Sequence, residues 1–242
     1  MDTRIDEVAE RIFRLSTFVP DIGPTGFTFN QFLIDDDEPL LFHTGPRAMF
    51  PLVSDAVGRV SSLDRLRWIT FGHLEADECG AMNLFLAAAP RAQVAHGVMG
   101  CMVSLNDLAE RVPVPLADGQ VLELGSHRVR HVDTPHVPRG WDARVLFEES
   151  TGTLLCGDLL TQLGDPPALT TDDVLEGAVA AEDLFGASCL TPASGRTVRS
   201  LADLAPSTLA VMHGSSVSGD GAAALRALAD DFDRRLGAAG AG

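Results

Sequence analysis

The stretch Gly72-His73-Leu74-Glu75-Ala76-Asp77-Glu78 constrains this chain more than any other. It follows the apolar run LRWITF at 66–71 and precedes CGAMNLFLAAA at 79–89. The first run reads as a buried strand and the second as a helix. Four side chains able to bind a metal, His73, Glu75, Asp77 and Glu78, therefore fall at one strand-to-helix turn. His73, Glu75 and Asp77 alternate, so an extended segment would point them the same way. Imidazole and carboxylate ligands together suit iron, zinc or manganese. Taken alone, the stretch is equally an acidic helix start, with Asp77 or Glu78 near the positive end of the helix dipole.

Three later strand ends repeat the pattern. Thr134-Pro135-His136, Cys156-Gly157-Asp158 and Met212-His213-Gly214 each stop a strand on a His or Asp beside Gly or Pro. Small residues there let the loops turn sharply, so that side chains converge at one sheet edge. A single such histidine is usually structural, but the recurrence favours a shared site. His127 and His131 lie on a strand at spacings that scatter them over mixed faces, and neither is expected to be a ligand. His96 ends a strand without further indication of a role.

The remaining chain begins with strands at 11–18, 26–34 and 40–45 separated by short turns, which predicts an antiparallel start. A helix at 47–59 has Met49, Leu52, Val53 and Val57 on one face. Strands are expected at 92–96, at 121–135 as a pair around Gly125, at 143–149 and 153–158 as a hairpin, and at 208–214. Helices are expected at 98–111, 171–183, 197–204 and 220–237. Strands in hairpins followed by strands interleaved with helices, twice over, predict an α/β fold of two mixed sheets packed face to face with helices outside. Residues 1–237 form one domain in this reading, and 238–242 a disordered tail.

The motif set resembles the metallo-β-lactamase-like superfamily, whose H-x-H-x-D-H signature is followed by a distant His, an Asp and a final His. Glu75 replaces the second histidine here, a form similar to the diiron branch: the β-lactamase-like domain of flavodiiron proteins and the oxygen-binding diiron proteins. The resemblance implies a four-layer αββα sandwich and two metal ions, with iron as the expected metal and zinc or manganese as the alternative. It implies that His73, Glu75 and His136 bind one ion, that Asp77 and His213 bind the other, and that Asp158 bridges them. Cys79-Gly80-Ala81-Met82 resembles the family's small-residue helix start. Two positions depart from the pattern. Glu78 stands where the family has another histidine, and is expected to face the second metal. His43, in Leu41-Phe42-His43-Thr44-Gly45, stands where the superfamily has Asp, and is expected to orient a ligand.

Composition narrows the partners. Lys and Arg number 18 against 34 Asp and Glu, a formal charge of -16. Such a surface repels nucleic acid and anionic membranes. No apolar run reaches the ~18 residues of a membrane span. The opening MDTRIDEVAE is too polar for a secretory signal, and Cys79, Cys101, Cys156 and Cys189 show no zinc-finger spacing. A cytoplasmic protein with reduced, mostly buried thiols is the expectation. The resemblance implies an oxidoreductase that binds or reduces O2 or NO. No FMN is expected on this chain, so electrons would come from a separate partner protein. A binuclear zinc or manganese hydrolase of an ester, thioester or phosphodiester remains an alternative, as does a non-enzymatic O2 or NO sensor. A homodimer is left open.

Overall fold

In the computed structural model of the protein, residues 2–239 are described. Two seven-stranded mixed sheets carry the fold. The first runs in the order β1 (Thr3–Ala9), β2 (Ile12–Val19), β3 (Phe27–Ile34), β4 (Leu40–Phe42), β5 (Trp68–Thr70), β6 (Gln93–Gly97) and β7 (Val114–Leu116). The second contains β8 (Val121–Glu123), β9 (Arg128–Asp133), β10 (Arg144–Glu148), β11 (Thr153–Leu155), β12 (Leu169–Thr170), β13 (Thr208–Ala210) and β14 (Ser216–Ser218). Its spatial order is β12-β14-β13-β11-β10-β9-β8. The first four strands pair antiparallel, as their hairpin spacing requires, whereas β4 through β7 pair parallel.

Three apolar layers explain why the sheets stack. Between the sheets, Phe32, Phe42 and Trp68 of the first meet Leu122, Leu146 and Leu155 of the second. On the outer face of the first sheet, helix Phe50–Val60 buries Val53, Ala56 and Val57, and helix Met82–Ala88 buries Met82, Phe85 and Leu86. Pro51, in the first turn of helix Phe50–Val60, removes a donor that would have no partner there. On the outer face of the second sheet lie helices Leu175–Phe185, Ser194–Ala202 and Gly221–Ala239. The last of these buries Leu225, Leu228, Ala229 and Phe232, spaced to form a single stripe. The result is the expected αββα sandwich.

Several expectations need correction. β1, β7, β12 and β14 had no strand prediction. β1 alternates charge with too few apolar residues to announce itself, and the others have three residues or fewer. The final strand stops at Ala210, and the chain then loops through His213 before β14 returns antiparallel. Asp77 does not lie on an extended segment, because Ala76–Cys79 already forms a helical turn. The closing helix continues to Ala239, so residues 238 and 239 are helical, and 240–242 lie outside the described residues. Cys189 is exposed and Cys79 half-buried, while Cys101 and Cys156 are buried, and all four are unpaired. No described helix is long and apolar enough to cross a membrane.

Candidate metal centre

The loop after β5 carries His73 and Glu75 and turns into the helix that carries Asp77 and Glu78. Asp142 holds this loop: its Oδ2 accepts the Leu74 backbone N–H at 3.0 Å and lies 3.2 Å from Nε2 of buried His96. The loop after β11 supplies Asp158, and the loop after β13 supplies His213. That last loop is pinned from the opposite sheet. Asn30 Nδ2 donates to the carbonyls of Val211 and Gly214, and Thr28 Oγ1 accepts the Gly214 N–H at 2.8 Å. Gly214 has φ +105°, and a Cβ there would lie 2.6 Å from Gln162 Cβ, so the turn requires glycine.

Asp158 stands at the middle of the cluster. Its Oδ1 lies 3.3 Å from His213 Nε2, and its Oδ2 lies 3.9 Å from His73 Nε2. One oxygen thus faces each half of the site. Asp158 Oδ2 meets Arg139 Nη2 at 2.9 Å, whereas Asp158 Oδ1 and Asp77 Oδ1 are buried with no aligned hydrogen-bond donor among the described residues. Leaving buried carboxylate oxygens in this state is costly unless a cation takes their lone pairs. In one half, Asp77 Oδ2 lies 3.5 Å from His213 Nε2. In the other, His73, Glu75 and Asp158 offer ligand atoms that all lie within 4.8 Å of one another. The donor set, imidazole nitrogen and carboxylate oxygen, therefore fits metal in its chemistry.

Each histidine is aimed by a group behind it. The His213 Nδ1–H donates to the Thr28 carbonyl at 2.7 Å, leaving Nε2 for the site. Phe27 stacks on this ring at 4.2 Å. For His73 the corresponding group is Glu78, whose Oε1 lies 2.9 Å from Nδ1 and whose Oε2 accepts the His73 backbone N–H at 2.6 Å. Glu78 is fully buried, and its carboxylate sits on the ring edge away from Glu75. It was expected to face the second half; instead it is committed to His73. His43 Nε2 lies 3.4 Å from Glu78 Oε2, so His43 meets the group that positions a candidate ligand.

The electrostatics of the metal-free chain follow from this packing. Burial opposes a charge on His73, but Glu75 and Glu78 overcome it and raise the ring to about 11. Burial likewise opposes a charge on His213, and Asp158 and Asp77 raise it to about 9. Burial would push Asp158 and Asp77 up, yet contact with His213 holds both below the usual carboxylate range. The same carboxylates that favour a proton on each ring would favour a metal ion in its place, so protons and metal compete for the site.

Two placements were not foreseen. His136 is exposed, at φ +68°, on the turn after β9, and its side chain has no partner in the cluster among the described residues. Its backbone N–H donates to the Gly140 carbonyl at 2.7 Å, which closes the turn with the imidazole outside. The same turn brings Arg139 into the site. Its Nη2 lies 2.6 Å from Glu75 Oε2 and 2.9 Å from Asp158 Oδ2. Arginine is not a metal ligand, so a search for ligands passes over it, and its acidic partners Glu75 and Asp158 are distant in the sequence. Beyond the cluster opens a cavity of about 400 Å³, lined by Phe27, Phe29, Leu159, Leu160, Ala181 and Phe185 among others, with Asp77, Asp158 and His213 at its polar end.

Fold and cluster together define a metallo-β-lactamase-like protein with a carboxylate-rich centre. The family described as "ODP family beta lactamase" matches residues 27–214, and the chain belongs to it. A comparison with curated proteins finds no match. Among solved structures, the fold is similar to a fragment of diflavin flavoprotein A 5 from Nostoc sp., with TM-score 0.81 and 17% identity over 97% of this chain and 98% of that one. It is similar to the Flv1 flavodiiron core from Synechocystis sp., with TM-score 0.78 and 20% identity over 98% of this chain and 61% of that one. It is also similar to rubredoxin oxygen:oxidoreductase from Desulfovibrio gigas, with TM-score 0.76 and 15% identity over 95% of this chain and 62% of that one. The chain thus spans about six-tenths of the length of the last two.

Proposed function

We propose that this chain holds iron at the Asp158-centred cluster and binds or reduces O2 or NO there, with electrons from a separate partner protein. The observation that carries the reading is Asp158 itself, its side chain buried between the two halves with Oδ1 toward His213 and Oδ2 toward His73. Two irons held there would supply redox electrons and coordination positions for a diatomic ligand. Glu75, Asp77 and Asp158 favour a hard, highly charged metal. Glu78 and the Thr28 carbonyl keep Nε2 of His73 and His213 aimed inward. Phe27 and Phe29, buried against His213, and the apolar lining beyond them favour an apolar gas over bulk water beside the cluster.

The test is metal analysis after expression with iron and zinc both supplied, followed by NO binding and by O2 consumption with a chemical reductant. Iron at the site, a visible spectrum that NO perturbs, and loss of bound metal in Asp158→Asn are the expected results. The cavity gives a second reading some support, because about 400 Å³ falls in the range of small-molecule pockets, ~300–1,000 Å³. A protein that takes only zinc under every condition and cleaves model esters would be a hydrolase.

A further inference from the structure

The half of the centre with the tightest set of donors already holds a cation. Arg139 Nε lies 2.9 Å from Glu75 Oε2 and 3.3 Å from His73 Nε2, and Nη2 lies 2.6 Å from Glu75 Oε2 and 2.9 Å from Asp158 Oδ2. His73, Glu75 and Asp158 are the same three side chains whose ligand atoms converge on one another. A metal ion would need donor atoms from these residues at about 2.0–2.2 Å. A guanidinium in contact with all three leaves no room for it.

The backbone holds the turn that carries Arg139 against the cluster. Gly140 has φ +86°, and a Cβ there would lie 3.2 Å from His73 Cβ, so the turn packs directly on the histidine. The Cys189 N–H donates to the Pro138 carbonyl at 2.6 Å and ties the turn to the segment after helix Leu175–Phe185. Arginine suits the position better than lysine, because its planar fork reaches two carboxylates at once. His136, which would complete the donor set, points to solvent from the same turn.

We infer that Arg139 is an internal cation that competes with metal for the His73–Glu75–Asp158 half, so that this chain retains one metal ion fewer than its donor set could hold. The inference rests on the reading of this cluster as a metal centre. It assigns Arg139 a positioning role, as the group that sets how many ions enter, and leaves the Asp77–Asp158–His213 half open to an ion.

The experiment is a count of bound zinc per chain, after stripping with a chelator, loading with excess zinc and desalting, for the full chain and for Arg139→Gln. One more zinc per chain in Arg139→Gln is the expected result. Equal counts in the two proteins, zero included, or a lower count in the variant would overturn the inference. Arg139→Gln leaves Glu75 and Asp158 without their cation and could fail to fold when stripped. It is therefore also purified with zinc present throughout and counted directly, where the same difference of one is expected. Thermal melting gives a readout independent of activity: zinc should raise the melting temperature of Arg139→Gln more than that of the unaltered chain. Failure of the functional reading looks different, because the counts would still differ by one while neither iron-loaded protein reacted with NO or O2.

Discussion

Replacing Glu78→Gln tests the inner architecture of the site, because the change is nearly isosteric and alters only charge and donor pattern. Glu78 is fully buried, accepts the His73 backbone N–H at 2.6 Å, and faces His73 Nδ1 at 2.9 Å. A glutamine has one acceptor oxygen, so whichever way the amide is turned, its NH2 confronts one of these two donors. The loss is one hydrogen bond to a charged group, about 1.5–3 kcal/mol. In a domain of this size, ~2–4 °C per kcal/mol predicts a fall in melting temperature of about 3–12 °C for the metal-free protein. The amide also favours the imidazole tautomer with its proton on Nε2, the nitrogen a metal would need. Metal affinity at the His73 half should then fall by about 10–100-fold. The measurement pairs differential scanning calorimetry of the stripped protein with zinc competition against a chromophoric chelator, done in the Arg139→Gln background, where that half is expected to be open. A Glu78→Gln protein that melts and binds like its parent would refute the reasoning. So would a variant that weakens only the ion beside Asp77 and His213, since Glu78 would then face the half from which it is turned away.

Three further outcomes follow from the same geometry. His136→Asn should leave metal content unchanged and stability within about 0.5 kcal/mol, because the side chain is exposed and asparagine tolerates a positive φ; loss of a metal ion on this change would restore His136 to the ligand set. His96 is pushed down to about 4 by burial, despite its contact with Asp142. Its native form is therefore neutral, while the unfolded chain takes up a proton below about 6.5. Its contribution is complete above that pH and is lost as pH falls toward 4, about 3 kcal/mol in all; urea melts across this window should flatten in His96→Gln. Phe85→Ala removes a fully buried ring from the layer beneath helix Phe50–Val60 and should cost about 3–5 kcal/mol in the same urea assay, with no change in metal count.

How legible the site was depends on how local each signal is. His73, Glu75 and Asp77 sit in one short stretch at a strand end, and Asp158 and His213 end strands whose apolar runs are unmistakable, so their convergence could be foreseen. His136 carries the same outward signature, a histidine after a strand and before a proline. Its fate was decided by how seven residues close a turn, which apolar patterning does not encode. Glu78 was read as a ligand because of its place in a motif, whereas its direction depends on the Thr44 backbone and side chain, both of which bond the Glu78 carbonyl from a distant strand end. Asp142 and Arg139 lie outside any ligand pattern, and only the fold brings them to the loop they organise. The sandwich itself was readable from its long strands, while edge strands of two or three residues borrow their conformation from neighbours and leave little trace in the chain.

The candidate ligands are divided between the two sheets: His73, Glu75 and Asp77 hang from the first, and Asp158 and His213 from the second. A cation grasped by both groups is therefore a rivet through the sandwich, joining segments that the unfolded chain keeps far apart. Its binding energy would be added to the cohesion of the interlayer core. Chelation should then do more than empty a pocket. It should let the ligand-bearing edge of the two sheets breathe apart, with hydrogen exchange quickening first at the loops after β5, β11 and β13 while the far edge stays closed.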